Sequence, residues 1–131
     1  MLIYIAGPLK AKKECDIIEN VTRAVKVGGM VFELGHECII PHLFWYSHRL
    51  IGWPVNDDQA LAYCFRLVNR CDALIRLPGE SEGADKEVAT LTKKNRPVVG
   101  LPEINKFEVK KCLEVLKEEV EQFKNGHRNN Y

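Results

Sequence analysis

The sequence predicts an α/β fold in three layers, with a small, mostly parallel sheet of about four to five strands between helices. Two observations predict this fold. Short apolar runs rich in β-branched residues alternate with longer segments in which apolar residues recur at helical spacing. Helical segments, not hairpin turns, separate the runs, so parallel strands with right-handed crossovers are expected.

The first part of the chain contains two predicted strands and one long helix. Residues 2–6 form an apolar run ended by a Gly-Pro pair, as expected of a central strand followed by a tight turn. Residues 14–34 carry apolar side chains at helical spacing, although two glycines weaken the middle, and Gly35 supplies a stop. Residues 37–40 form a second short strand that ends at a proline.

The middle of the chain is rich in aromatic residues. Residues 41–56 hold two histidines, two tryptophans and two prolines without a clean period, so this segment is expected to be a loop or lid. Asn56 or Asp57 then caps a helix that reaches Asn69 and has one apolar face.

The last four elements are predicted as a strand, a helix, a strand and a charged amphipathic helix, over residues 72–77, 84–94, 97–101 and 106–123. Asp72 is expected to close the start of its strand. The whole pattern is Rossmann-like. Residues 1–124 are expected to form a single domain, and residues 125–131 a disordered tail.

The composition limits the classes of partner. The net charge of +1, with 46% hydrophobic and 28% charged residues, favours a small molecule or another protein over a nucleic acid polymer or a membrane. Five cysteines are odd in number and form no Cys-x-x-Cys pair, which argues against a disulfide framework and favours a cytoplasmic protein. No targeting leader and no run of about 20 apolar residues is visible.

Three predicted strands end in groups that can take part in chemistry. Gly7 and Pro8 follow the first strand, His42 the second, and the segment 81–87 the third. In a parallel sheet the carboxyl ends of the strands meet at one edge, towards which helix N-termini also point. These groups are therefore expected to form one site.

The segment 81–87 offers an anion site. Gly7 and Gly83 allow the backbone to approach a ligand closely, and the Ser81 hydroxyl with the N–H groups of Gly83 and Ala84 could form a nest for a phosphate. The alternative is that these residues only cap the helix.

The same segment carries a candidate nucleophile. Glu87 is expected in the first turn of its helix, where the helix dipole favours the ionised carboxylate by roughly 0.3–1 kcal/mol. Tyr4, on a neighbouring strand, could donate its hydroxyl to that carboxylate and orient it, or could merely pack in the core.

His42 is a candidate for binding a planar ring. It is close in sequence to Phe44, Trp45 and Trp53, which fits a stacking pocket, with a dimer contact or the core as the alternative use of these aromatic residues. No metal site is expected, because the spacing of the His and Cys residues matches no common zinc pattern.

These residues resemble the nucleoside 2-deoxyribosyltransferase-like superfamily, in its short bacterial and phage branch, and are also similar to deoxynucleoside 5′-monophosphate N-glycosidases. The resemblance covers the chain to about residue 101. It rests on Ile3-Tyr4-Ile5-Ala6-Gly7-Pro8, on Cys71-Asp72-Ala73-Leu74-Ile75-Arg76-Leu77-Pro78-Gly79 and on Ser81-x-Gly83-Ala84-x-x-Glu87.

The resemblance implies a catalytic role for Glu87. This glutamate would attack the anomeric carbon of a nucleoside or nucleotide, expel the base and form a glycosyl-enzyme intermediate that water or a second base resolves. Tyr4 would orient it. Ser81 takes the position where the nucleotide N-glycosidases have a serine that contacts the 5′-phosphate, which favours a nucleotide. No cofactor is implied. The base and the sugar stay open.

The chain departs from the superfamily pattern at Cys64, eight residues before the aspartate that begins the third strand, where relatives usually have another aspartate. Asp57 and Asp58 lie about two helical turns earlier, roughly 10–11 Å away. Cys64 itself could act only if neighbours such as Arg66 or His42 lower its pKa, and the favoured alternative is a buried cysteine that packs the helix. The expected function is therefore an N-glycosidase or deoxyribosyltransferase, with a catalytically inactive nucleotide-binding or sensing module as the alternative.

Members of the superfamily are commonly dimers or larger, with a neighbouring subunit completing the pocket. The resemblance thus implies a homodimer or higher homo-oligomer, with residues 43–53 and 57–69 as the natural interface.

Overall fold

A computed structural model describes residues 1–128 as a sheet of four parallel strands surrounded by five helices. The strands are Leu2–Ala6 (β1), Glu37–Ile39 (β2), Ala73–Arg76 (β3) and Val98–Gly100 (β4), in the spatial order β2-β1-β3-β4. The helices are Glu14–Glu33 (α1), Pro41–Leu50 (α2), Asp57–Val68 (α3), Glu82–Lys93 (α4) and Lys106–Arg128 (α5). The predicted three-layer α/β fold with a small parallel sheet is confirmed.

The side chains of β1 alternate between the two faces of the sheet, and each face is covered by a different pair of helices. Ile3 and Ile5 pack in a core with residues of α1 and α5, whereas Tyr4 and Ala6 pack in a second core with residues of α3 and α4. All four side chains are fully buried. Because both faces of the sheet are covered, β1 is apolar along its whole length instead of alternating with polar residues.

β1 and β3 begin and end together. Their register pairs Ile3 with Ala73 and Ala6 with Arg76. The Leu2 N–H donates to Asp72 Oδ2 at 2.8 Å, which fixes the start of both strands and agrees with the structural role predicted for Asp72. Since the two strands are aligned, the loops that follow them leave the sheet side by side.

α1 is one continuous helix in spite of its glycine pair. Gly28 lies where the helix packs on the end of β2, and a Cβ there would stand 2.4 Å from Ile40 Cδ1. The helix ends as predicted before Gly35, whose φ of +89° suits glycine.

The prediction of a loop or lid over residues 41–56 is wrong for its first ten residues, which form α2. Pro41 occupies the first helical position, where the missing N–H costs nothing. Phe44 stacks on Tyr63 of α3, with ring centroids 4.9 Å apart. The aromatic residues thus pack against a neighbouring helix, and this contact stabilises a segment without a clean helical pattern. Residues 51–56 remain a connection that bends at Gly52.

α5 is longer than predicted. It continues through residue 128, so the first four residues of the predicted tail are helical, while residues 129–131 lie outside the described part of the chain. Extending a formed helix adds one hydrogen bond per residue, and no proline interrupts this segment. The other element ends fall within two residues of the predicted ones.

Candidate functional site

The carboxyl ends of β1, β2 and β3 open onto a pocket of about 500 Å³. The loop after β1, the start of α2, one side of α3 and the first half of α4 form its walls. This volume is in the range of roughly 300–1,000 Å³ that is typical of small-molecule sites.

The pocket brings together ten of the eleven predicted site residues, namely Gly7, Pro8, His42, Asp57, Asp58, Cys64, Ser81, Gly83, Ala84 and Glu87. The eleventh, Tyr4, lies in the core beneath them and is fully buried. His42, Cys64 and Glu87 form a buried floor, since none of their side chains is more than 8% exposed. Asp57, Asp58 and Ser81 belong to the more open rim.

Glu87 lies in the second turn of α4, not in the first as predicted, because the helix begins at Glu82 with Ser81 as its N-cap. Burial raises the pKa of Glu87 from its ordinary 4.5 to about 7, against smaller lowering effects of the Tyr4 hydroxyl and the Arg76 guanidinium. The prediction that the helix dipole favours the ionised form of Glu87 is therefore wrong, because the pKa of this carboxyl is raised and not lowered. The helix dipole acts mainly within the first turn, and lost hydration outweighs it at this depth.

Tyr4 lies close to Glu87 but does not bond to it. Burial raises the pKa of the Tyr4 phenol, and the neighbouring Glu87 and Cys64 raise it further, so the phenol stays protonated. Among residues 1–128, neither Tyr4 Oη nor Glu87 Oε2 has a hydrogen-bond partner. The structure thus places the two predicted partners together without the hydrogen bond expected from the sequence. The hydroxyl stands close enough to the Glu87 carboxyl and the Cys64 thiol for both to affect its pKa, although it meets the geometry of a hydrogen bond with neither.

Unpaired polar atoms are concentrated at this floor. In the described part of the chain, three buried side-chain polar atoms lack a partner, and they are Tyr4 Oη, His42 Nδ1 and Glu87 Oε2. Such an atom costs about 1–3 kcal/mol, and the great majority of buried polar groups in native proteins are paired. Their grouping under one cavity marks this floor as the candidate functional site.

His42 is held by the loop after β1. Its Nε2 lies 3.1 Å from the Gly7 carbonyl and 3.2 Å from the Pro8 carbonyl. Because carbonyls only accept, Nε2 carries the hydrogen and donates. Burial lowers the pKa of His42, so the ring is neutral and Nδ1 is left as an acceptor.

Of the three aromatic residues predicted to form a stacking pocket with His42, Trp45 lines the same pocket as His42, whereas Phe44 and Trp53 do not. The ring contacts among the described residues join Phe44, Trp45, His48, Trp53 and Tyr63, but do not include His42. Only Trp45 of this group lines the main pocket, and Trp53 lines a smaller one beside it. α2 places His42 against the loop after β1 and places Phe44 and Trp45 against α3.

The Ser81 side chain caps α4. Its Oγ accepts a hydrogen bond from the Ala84 N–H at 3.1 Å, so that N–H is no longer available for an anion nest. Among the described residues no partner is found for the N–H of Gly83, which faces the pocket end of the helix. Ser81 therefore caps the helix, and the Gly83 N–H and the Ser81 O–H are left as hydrogen-bond donors at the pocket.

Cys64 is a buried thiol and not a substitute for a carboxylate. Its Sγ accepts a hydrogen bond from Trp45 Nε1 at 3.3 Å. Burial raises the pKa of Cys64, so the thiol stays protonated, and neither Arg66 nor His42 is among the groups that shift it. The suggestion that these neighbours activate the thiol is thus wrong, because burial dominates its environment.

Two further residues contribute to the site, namely Trp45, which the sequence analysis named only as a stacking residue near His42, and Arg76, which it left out. Trp45 forms part of the pocket wall and bonds to Cys64. Arg76 holds the turn between β3 and α4, because its Nη2 donates to the Gly79 carbonyl at 2.9 Å and pairs with Asp85 at 3.1 Å. A charged residue at the end of an apolar strand was the available signal for Arg76.

Comparisons with protein-family models and with curated protein sequences give no match to this chain. No helix within residues 1–128 is long and apolar enough to cross a membrane. Within the same range, no group of three or more His, Cys, Asp and Glu side chains is arranged to hold a metal ion.

Replacing Glu87 with Gln is expected to stabilise the fold at pH 8 but not at pH 4.5. The native pKa of about 7 exceeds the ordinary 4.5, so the folded protein binds more protons than the unfolded chain between these values. Its stability therefore falls as pH rises through that window. Each pKa unit is worth about 1.4 kcal/mol, so the gain at pH 8 should reach roughly 3 kcal/mol.

Urea unfolding of both proteins at the two pH values measures this effect. Glu114→Gln, the same change at an exposed position of α5, is the control and should show no such pH dependence. An equal stability difference between native protein and Glu87→Gln at both pH values would contradict the burial of an ionisable carboxyl.

Proposed function

We propose that this chain cleaves the N-glycosidic bond of a nucleotide or nucleoside, with Glu87 as the nucleophile. The observation that carries the proposal is a buried carboxyl oxygen without a partner, at the floor of a pocket of about 500 Å³ where three strands end. The resemblance of the strand and turn segments to the nucleoside 2-deoxyribosyltransferase-like superfamily supports the same assignment.

The chemistry suits a carboxylate in this position. Glu87 Oε2 forms a bond to the anomeric carbon while the C–N bond breaks. The electron pair of the C–N bond leaves with the base. The resulting glycosyl ester is then opened by water or by a second base. The Tyr4 hydroxyl, near the carboxyl and free of other partners, would hold Glu87 in line for the attack.

Other groups at the pocket fit the parts of a nucleoside. The Trp45 ring and the Leu61 side chain give an apolar wall for a base. The Gly83 N–H and the Ser81 hydroxyl can donate to sugar or phosphate oxygens at the start of α4. His42 Nδ1 can accept a hydrogen bond from a sugar hydroxyl.

A second function, nucleotide binding without turnover, is favoured by one observation. Cys64 supplies a protonated thiol where the superfamily resemblance calls for a carboxylate. A pocket that kept its binding groups but lost that carboxylate would act as a sensor or a sequestering module.

Base release should depend on Glu87. We expect the native chain to release base from one or more members of a panel of ribo- and deoxyribonucleosides and their 5′-monophosphates, followed by chromatography. Glu87→Gln should reduce kcat on the order of 10³-fold or more, because the amide cannot act as the nucleophile. Below pH 7, kcat/KM should fall about tenfold per pH unit, since the attacking form is the ionised one and the pKa of Glu87 in the free chain is about 7.

Glu114→Gln serves as the control in this assay and should retain full activity. Binding of panel members without any release, seen as thermal stabilisation, would reject the enzyme in favour of the binding module. Release that survives in Glu87→Gln would reject Glu87 as the nucleophile.

We also propose that the chain forms a homodimer through an apolar patch on α2 and the connection to α3. The patch consists of Leu43, Phe44, Leu50, Ile51, Trp53 and Val55, and Leu50, Ile51 and Trp53 are each more than 60% exposed. Sedimentation at micromolar concentration should show a dimer that Trp53→Glu converts to a monomer. A native chain that sediments only as a monomer would reject the proposal.

A further inference from the structure

The rim of the pocket carries an excess of negative charge. Four carboxylates stand there, those of Asp57, Asp58, Glu80 and Glu82, against the ammonium groups of Lys10 and Lys86. Each lysine is already engaged, Lys10 with Asp57 at 2.7 Å and Lys86 with Glu82 at 3.2 Å.

Two rim carboxylates are not neutralised. Within residues 1–128, Asp58 and Glu80 have no cationic partner. The Glu87 carboxyl lines the pocket below them, is 7% exposed, and has one oxygen, Oε2, without a hydrogen-bond partner among residues 1–128. A ligand that enters this pocket therefore passes a negative rim and ends above a carboxyl group, an arrangement that favours positive charge on the ligand.

Besides Glu87, the floor holds two titratable groups, Cys64 and His42, and neither is suited to protonate a leaving base. The Cys64 thiol is weakly acidic because burial raises its pKa. The Nε2–H of His42 is committed to the Gly7 and Pro8 carbonyls, and the ring is neutral. Without such a proton, a neutral base would have to depart as an anion. The reaction would then lack the rate gain of a general acid, which is typically 10²–10⁴-fold.

We infer that the preferred substrate of this site is a glycoside whose base is a cationic ring, such as a pyridinium or an N-alkylated purine. The inference rests on the proposed N-glycosidase function and names its substrate class. The negative rim attracts such a ring, and the Trp45 indole in the pocket wall offers an aromatic surface to it.

The reaction then balances without an acid. Glu87 Oε2 forms a bond to the anomeric carbon, the C–N bond breaks, and its electron pair neutralises the ring, which leaves as a neutral base. Water opens the glycosyl ester, restores the Glu87 carboxylate and releases one proton to solvent.

The test compares 7-methylguanosine with guanosine, its neutral counterpart, at low ionic strength and at about pH 6, where the base of 7-methylguanosine keeps its N1 proton and is cationic. Each kcat/KM is divided by the spontaneous rate constant of that nucleoside, because the cationic compound is the more labile. We expect the corrected value for 7-methylguanosine to exceed that for guanosine by about three- to tenfold, because the rim charges favour the cationic ring and the spontaneous reaction has no such charges.

The double change Asp58→Asn and Glu80→Gln removes the two unpaired rim charges. It should lower kcat/KM for 7-methylguanosine by about three- to tenfold and shrink the advantage over guanosine. Glu114→Gln should change neither substrate's rate. Added salt should weaken the preference of the native chain in the same direction.

The outcomes separate the inference from the proposed function. Equal corrected rates for both nucleosides, both lost in Glu87→Gln, would overturn the cationic preference and leave the glycosidase standing. A preference for 7-methylguanosine that the double change does not reduce would overturn the role of the rim. No Glu87-dependent release from any nucleoside or nucleotide would overturn the proposed function, and the inference with it.

Discussion

The burial of a carboxyl group at the point where three strands end is the constraint on which the rest of this structure depends. Lost hydration raises the pKa of Glu87 to about 7, which corresponds to roughly 3 kcal/mol at neutral pH. Folded domains are stable by only about 5–15 kcal/mol, so this is a large fraction of the total. The two apolar cores on either side of the sheet must offset it.

Short, well-anchored connections hold that carboxyl in place. β1 and β3 run in register and end together, and Asp72 fixes their common start. Arg76 and Ser81 then set the turn and the first residues of α4, while His42 ties the start of α2 to the loop after β1. The ends of β1, β2 and β3 thus each lead directly into a wall of the pocket, and no long loop intervenes between these strands and the site.

Most of the fold and the membership of the site could be predicted from the sequence, because both follow from periodicity and from topology. α2 could not, since its stability comes from aromatic contacts with α3 that no local pattern shows. The protonation of Glu87 was missed for a related reason. The helix dipole estimated from sequence is worth at most about 1 kcal/mol, whereas the lost hydration, a property of the packed structure alone, is about three times larger. The orientation of His42 likewise depends on carbonyls distant in sequence.

The most direct test of Glu87 as a nucleophile is to trap and locate the glycosyl ester. The native chain is mixed with the nucleoside that it cleaves fastest, or with that nucleoside's 2-fluoro sugar analogue to slow the second step, and is quenched in acid for peptide mass spectrometry. The account predicts a glycosyl adduct on Glu87, the floor carboxyl with the unpaired oxygen. Release of base with the adduct on another residue, or with Glu87 unmodified throughout the first turnover, would contradict it.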